Sequence, residues 1–99
     1  MLYAIFATDI VGTQEKRSTA RSEHLKRLEL LKQEGRLVLA GPHPLIESLD
    51  SNAQIMTGSL IVAEFRTLSE AEVWVQQDPY NLAGVYDAVQ IKPFKQVFP

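Results

Sequence analysis

The chain has 99 residues, of which 45% are hydrophobic and 22% charged, and its formal net charge at pH 7 is −2. This length predicts a single domain, residues 1–99, and the composition is that of a soluble globular protein. No basic cluster and no long apolar run occurs, so we expect no nucleic-acid partner and no membrane span. The absence of cysteine excludes disulfides and thiolate chemistry, and without a leader pattern we expect a cytoplasmic protein.

The first half of the chain predicts a strand, a long helix and a second strand. The first strand covers Leu2 to Thr8 and is apolar on both faces, which is typical of a central strand covered on both sides. An amphipathic helix follows from about Glu15 to Glu34, with Thr13 as its expected N-cap and Gly35 at its C-terminus. Arg36 to Ala40 is predicted to form a short strand.

The middle of the chain predicts a turn, a long loop and a third strand. At Gly41-Pro-His-Pro44 we expect the chain to turn or splay, because two prolines cannot continue a paired central strand. Leu45 to Thr57 has no convincing period and is predicted to be a long loop. Gly58 to Phe65 is rich in β-branched and aromatic residues, which predicts a strand.

The last third predicts a short helix, a helical turn and a fourth strand. Ser69 is the expected N-cap of the helix, with Glu72 completing a capping box. Asp78, followed by proline, predicts a further helical turn. The fourth strand covers Val85 to Phe94, and Pro93 should end it or place it at an edge.

The resulting order, βαββαβ, is the ferredoxin-like split βαβ arrangement of the α+β class. In this fold a four-stranded, mainly antiparallel sheet carries both helices on one face. Several of the predicted strands are apolar on both sides, so the other face must also be covered. Two sheets packed face to face would bury that apolar surface at roughly 25 cal/mol per Å². We therefore expect a homodimer.

The long helix carries a stripe that changes from apolar to cationic halfway along. At about 100° per residue, the stripe members fall within an arc of roughly 80°; they are Arg17, Arg21, His24, Leu28 and Leu31. The C-terminal half of the stripe belongs in a core. The N-terminal half carries two guanidiniums and an imidazole, so it either leaves the core for water or lines the end of a cavity.

Proton transfer has one leading pair of candidates. His24 is the candidate general acid or base, because imidazole titrates near neutral pH. Asp78 is its candidate partner, since the two helices of a split βαβ fold lie side by side. Both residues also have structural explanations: a histidine can pack its ring on the sheet, and an aspartate before proline is a common N-cap.

Four further residues are candidates for substrate binding. Arg17 and Arg21 would attract an anion, while Tyr80 and Ser59 could offer hydroxyl groups. The sequence has no metal-ligand spacing and no nucleotide-binding or hydrolase motif, so we expect no dedicated metal and no cofactor. Incidental metal binding by the histidine and aspartate stays open.

Short segments distributed along the whole chain carry a recognisable pattern. They are Glu15-Lys-Arg17 with Arg21 and His24, Gly35-Arg-Leu37, Ala40-Gly-Pro42, Thr57-Gly-Ser59, Asp78-Pro-Tyr80, Ala83-Gly-Val-Tyr86 and Lys92-Pro-Phe94. This pattern resembles the YciI (YCII-related domain) proteins. The resemblance implies a ferredoxin-like domain that forms a dimeric α/β barrel, in a superfamily that also includes muconolactone isomerases. It further implies a site centred on a histidine and an aspartate, which correspond to His24 and Asp78.

The leading functional hypothesis is a cofactor-independent enzyme of the isomerase, lyase or hydrolase type. It would move a proton on a small anionic, phenolic or lactone-like molecule, with His24 as acid or base and Asp78 orienting it. Arg17 or Arg21 would position the substrate. The alternative is a non-catalytic module that binds a small ligand or another protein, and haem-dependent redox chemistry is a third hypothesis.

Overall fold

A computed structural model describes residues 1–47 and 55–99. The elements in chain order are β1 (Leu2–Asp9), α1 (Gln14–Gln33), β2 (Leu37–Pro44), β3 (Met56–Glu64), α2 (Leu68–Gln76), α3 (Pro79–Leu82) and β4 (Tyr86–Phe94). Since α3 is a single turn between α2 and β4, this order confirms the predicted βαββαβ arrangement. Within these described ranges, no helix is long and apolar enough to cross a membrane.

The four strands form one antiparallel sheet in the order β2-β3-β1-β4. β1 lies at the centre, where Ile5 faces Ile61 of β3 on one side and Ile91 of β4 on the other. β2 and β4 are the edge strands. The sheet and its helices therefore confirm the predicted ferredoxin-like α+β fold.

The core lies between the helices and one face of the sheet. Alternate β1 residues, Tyr3, Ile5 and Ala7, point into it and pack with Leu28 and Leu31 of α1. The opposite face of the sheet, which we call the open face, is also apolar; the pairing register places on it Ala4, Phe6, Leu39, Leu60 and Val62. No described helix covers this face in a single chain.

One predicted helix cap is wrong, and the other is right in position only, because Thr13 is the N-cap residue of α1. The Thr13 side chain does not cap α1, because its hydroxyl donates instead to the carbonyl of Ile10 at 2.7 Å. The N-cap of α2 is Thr67, whose hydroxyl oxygen accepts from the Glu70 backbone N–H at 3.1 Å. Thr67 has the extended backbone that an N-cap needs, whereas Ser69 already lies within the helix.

The second strand is longer than predicted. Instead of turning at Gly41, β2 continues to Pro44 and pairs with β3, with Pro42 opposite Ser59. The prolines are tolerated because β2 is an edge strand, where a missing N–H need not face a neighbour. An irregularity in the register follows between His43 and Pro44. Of the predicted loop at 45–57, residues 48–54 lie outside the described residues.

Candidate active site

A cleft of about 450 Å³ opens between the N-terminal half of α1 and the sheet. One part of its wall is polar, and the rest is apolar, including Leu28 of α1 and Ile61 of β3. Five of the six predicted site residues line the cleft: Arg17, Arg21, His24, Ser59 and Tyr80. The sixth, Asp78, lies behind His24. The cationic half of the α1 stripe therefore forms the wall of a cavity, which was one of the two predicted outcomes.

His24 and Asp78 form a buried pair. The His24 Nδ1 lies 2.9 Å from the Asp78 Oδ1, and the two residues are 5% and 1% exposed. Asp78 is also the N-cap of α3, because the same Oδ1 accepts from the Tyr80 backbone N–H at 2.9 Å. The capping role and the pairing with His24 thus exist together, and the cap fixes the carboxylate that faces the imidazole.

The pairing also determines which imidazole nitrogen is available. An ionised carboxylate only accepts hydrogen bonds, so Nδ1 of a neutral His24 must carry the proton that it shares with Asp78. The Nε2 atom then keeps its lone pair, and no described residue hydrogen-bonds to it. A histidine oriented in this way by a carboxylate is arranged to act as a general base.

Tyr80 holds the imidazole from one side. Its ring stacks on His24 with 3.9 Å between the ring centroids and 20° between the planes. The Arg17 guanidinium lies 4.4 Å from the centroid of the same phenol ring. Burial raises the pKa of Tyr80, against the lowering effect of Arg17 and Arg21. The phenol therefore stays protonated at neutral pH and can donate a hydrogen bond into the cleft.

Arg17 is engaged by the protein itself. Its Nε donates to Oδ2 of Asp9 at 3.0 Å, and its Nη2 donates to the Gly58 carbonyl at 2.9 Å and to the Ser59 hydroxyl. The residue is only 6% exposed. Arg21 differs, because it is exposed at the cleft and makes no hydrogen bond with any described residue. Of the two predicted arginines, Arg21 is the one that lines the cleft without a hydrogen bond to a described residue.

Sequence reasoning missed two residues of this cluster. Asp9 ends β1 and pairs with Arg17, although the predicted strand stopped at Thr8. Tyr86 begins β4, and its hydroxyl donates to Oδ2 of Asp78 over a long 3.4 Å contact. Burial, and then Asp78, raise the pKa of Tyr86 far above its ordinary value, so this phenol is a hydrogen-bond donor. The only sequence signal was the presence of Tyr86 in one matching segment.

The described residues contain no group of three or more histidine, cysteine, aspartate or glutamate side chains placed to hold a metal ion. The cleft combines a buried histidine–aspartate pair, an exposed arginine and an apolar wall.

Comparison with known proteins gives consistent matches along the chain. The YCII-related domain family matches residues 1–95. The protein YciI of Escherichia coli O6:H1 is 51% identical over 98 residues, which cover 99% of this chain and 100% of the relative. A protein of Haemophilus influenzae is 49% identical over 98 residues, with the same coverage.

A solved structure is similar in fold. It is the 5-chloro-2-hydroxyhydroquinone dehydrochlorinase of Burkholderia phenoliruptrix AC1100, in complex with 2,5-dihydroxybenzoquinone. The TM-score is 0.86 and the sequence identity 28%, over 96% of this chain and 94% of that one. With a family match over residues 1–95 and relatives matched along their whole length, this chain belongs to the YCII-related domain family, as its sequence motifs indicated.

Proposed function

We propose that this protein is a cofactor-independent enzyme that moves a proton on a small anionic or phenolic molecule. The observation that carries the proposal is the buried His24–Asp78 pair, 2.9 Å apart at the wall of the cleft, with the Nε2 of His24 unoccupied by any described residue. Burial strengthens the interaction between a carboxylate and an imidazolium, so Asp78 would stabilise the charge that His24 acquires.

In the proposed step, Nε2 of His24 takes a proton from a hydroxyl or acidic C–H group of the substrate. The electron pair of the broken bond stays on the substrate, and the imidazolium is stabilised by Asp78. In an isomerisation the proton returns at another substrate atom. In an elimination, the retained electron pair forms a new double bond while a leaving group departs with its own bonding pair as an anion.

The same cleft offers groups suited to hold such a molecule. Arg21 is placed to face the developing negative charge, and the protonated Tyr80 hydroxyl can donate to a substrate oxygen. Leu28 and Ile61 provide the apolar surface on which a ring can lie. We assign Arg17 and Ser59 to the wall that supports these groups, because the hydrogen bonds of Arg17 are directed to the protein.

The similar solved structure supports the elimination branch of the proposal. A dehydrochlorinase removes the elements of HCl, which is a proton and an anionic leaving group, and its bound ligand is a planar hydroxylated ring. The cleft described above has an acid–base pair for the proton and an arginine for the anion. A planar phenol or hydroxyquinone is therefore the substrate class we infer for this chain.

We also propose that the protein is a homodimer formed through the open face. Phe6 and Leu39 are each 47% exposed on that face, which leaves large apolar side chains in water in a single chain. Phe6→Glu should therefore shift the sedimenting species from dimer to monomer. Leu30→Glu, on the exposed side of α1, is the matched control and should leave it unchanged. A wild-type monomer at micromolar concentration would contradict the proposal.

The catalytic proposal is tested by a substrate screen followed by two substitutions. Purified protein is incubated with phenols, hydroxyquinones, halogenated hydroquinones and lactones, and loss of substrate is followed by absorbance and mass spectrometry. His24→Gln, which keeps an amide to pair with Asp78, should abolish turnover and change the melting temperature by only a few degrees. Arg21→Gln should lower kcat, because it removes the cation proposed to face the negative charge that develops in the transition state.

Lys32→Gln is the matched control, because it removes an exposed cation from the other end of the same helix. Turnover that survives in His24→Gln would contradict the assignment of the base. A ligand that binds tightly and is recovered unchanged after prolonged incubation would instead favour a binding module without catalysis.

A further inference from the structure

Arg27 is a half-buried arginine of α1, one helical turn beyond His24, and the proposed reaction does not use it. Its guanidinium carbon lies 4.4 Å from the centroid of the Trp74 ring on α2. Its Nη1 also donates to the backbone carbonyl of Trp74 at 2.9 Å. Arg27 therefore contacts both the side chain and the main chain of one residue, and it joins α1 to the last turn of α2.

The way α2 ends explains why the Trp74 carbonyl accepts from a side chain. A regular α-helical bond would join the Asp78 N–H to this carbonyl, four residues back. The Asp78 N–H instead bonds to the carbonyl of Val75, three residues back, at 3.0 Å. The carbonyl of Trp74 is thereby left for another donor, and Arg27 supplies it.

This tightened turn leads directly into the histidine–aspartate pair. Asp78 follows the C-cap residue of α2, and its Oδ1 lies 2.9 Å from the His24 Nδ1. His24 lies about one turn before Arg27 on α1, and Asp78 lies about one turn after Trp74. The same two segments are therefore joined at two neighbouring points, once through Arg27 and once through the buried pair.

We propose that Arg27 is a positioning residue for the histidine–aspartate pair and acts through the end of α2. By holding the Trp74 carbonyl against α1, it fixes where the chain enters Asp78, and so how the carboxylate meets the His24 imidazole. The competing explanation is that core packing of α2 positions Asp78 unaided and that Arg27 only adds stability. The effect on turnover rests on the proposed function, whereas the positioning of Asp78 does not.

Arg36 is a matched control with the same kinds of contact at another place. It is also half-buried, its Nε donates to the backbone carbonyl of Glu64 at 3.0 Å, and its guanidinium carbon lies 5.2 Å from the centroid of the Phe65 ring. A surface ion pair with Glu34 is its further contact. Since these contacts lie on β3 and not at the end of α2, their loss should reduce stability without moving Asp78.

The experiment measures the NMR signal of the His24 Nδ1–H proton, which moves downfield as its hydrogen bond to Asp78 strengthens. Arg27→Met keeps a long apolar side chain but has no donor for the Trp74 carbonyl, so the signal should move upfield. Arg27→Lys restores a donor and should return the signal at least part of the way to its wild-type position. Arg36→Met should leave the signal unchanged, although it lowers the melting temperature as well.

Two results would overturn the proposal. If both Met variants lower the melting temperature and neither moves the His24 signal, Arg27 has a structural role only. If both variants move the signal equally, a general loosening of the fold is responsible. Should Arg27→Met fail to fold, Arg27→Gln and Arg36→Gln replace the two variants, and again only the change at Arg27 should move the signal.

Where the screen supplies a substrate, a second readout separates positioning from substrate binding. Arg27→Met should lower kcat about tenfold, because a displaced catalytic group is costly. KM should stay within about threefold, because Arg27 does not line the cleft. A rise in KM with unchanged kcat would place Arg27 in ligand binding and overturn the proposal. If no substrate is found, the proposed function fails, and the NMR comparison still decides the role of Arg27.

Discussion

The two buried aspartates near the cleft are paired in similar ways but satisfied very differently. Asp9 pairs with Arg17, and Asp78 pairs with His24, so each meets a basic residue of α1. Asp78 accepts from three donors, which use both of its oxygens. Asp9 accepts from Arg17 alone, and its Oδ1 is without a partner in the described part of the chain.

This difference indicates that the two buried carboxylates, Asp9 and Asp78, have different roles. The Asp78 carboxylate joins α1, α3 and β4 at one point, so its loss affects the fold as well as the proposed chemistry. Asp9 joins only β1 to α1, and burial raises its pKa despite the opposing effect of Arg17 and His43. We therefore expect Asp78 to stabilise the protein strongly and Asp9 to contribute little.

The largest expected effect is that of Asp78→Ala. It leaves the His24 Nδ1–H, the Tyr80 N–H and the Tyr86 hydroxyl buried without an acceptor. Breaking a buried pair of this kind costs about 3 to 5 kcal/mol of the free energy of unfolding. Urea denaturation followed by circular dichroism measures the change. Asp87→Ala, which removes an exposed acid on β4, is the control and should change the free energy of unfolding very little. Similar losses for Asp78→Ala and Asp87→Ala would contradict the expectation that Asp78 stabilises the protein strongly.

A smaller effect is expected from Tyr86→Phe. The substitution removes one donor to Asp78 and keeps the aromatic ring, which packs edge-on against Tyr80. Because the lost bond is long and Asp78 keeps two other donors, the free energy of unfolding should fall by about 1 kcal/mol. The same denaturation experiment measures it. Tyr3→Phe, in the core away from Asp78, provides a reference for loss of a hydroxyl group alone.

The sequence was sufficient to predict that Asp78 lies close to the face of α1 that carries His24. Helical periodicity correctly placed Arg17, His24, Leu28 and Leu31 on one face of α1, and all four are buried. Asp78 was found because a proline-initiated turn after α2 must lie close to α1 in a split βαβ fold. Periodicity alone could not show that Arg21, on the same arc, lies exposed at the mouth of the cleft.

The surroundings of Asp9 were not predicted, and for Tyr86 the reason lies in the sheet. The pairing of β1 with β4 shifts register between Thr8 and Asp9, so that Thr8 faces Ala88 while Asp9 faces Tyr86. A bulge of this kind changes which side chains point to the helices. Alternation along β4 gives no sign of it, so Tyr86 was not placed beside the cleft. Asp9 does continue the alternation of the buried residues of β1, and it was missed because the predicted strand stopped at Thr8.

The smallest expected effect is a change with pH in the stability difference between the wild type and Asp9→Asn. It is also the most direct test of the comparison. Burial raises the pKa of the Asp9 carboxyl above its ordinary value of 3.8, and the attractions of Arg17 and His43 only partly offset this. The folded state then holds the proton more tightly than the unfolded state. The contribution of this group to stability is greatest below pH 3.8 and falls as the pH rises through the raised pKa of the folded state.

The free energy of unfolding of the wild type, relative to Asp9→Asn, should therefore increase as the pH is lowered through that window. Denaturation of both proteins at a series of pH values measures this difference, in which the titration of distant groups cancels. If the wild type instead loses relative stability in acid, the attraction of Arg17 outweighs burial. Asp9 would then stabilise the folded state as Asp78 does, and the contrast between the two carboxylates would disappear.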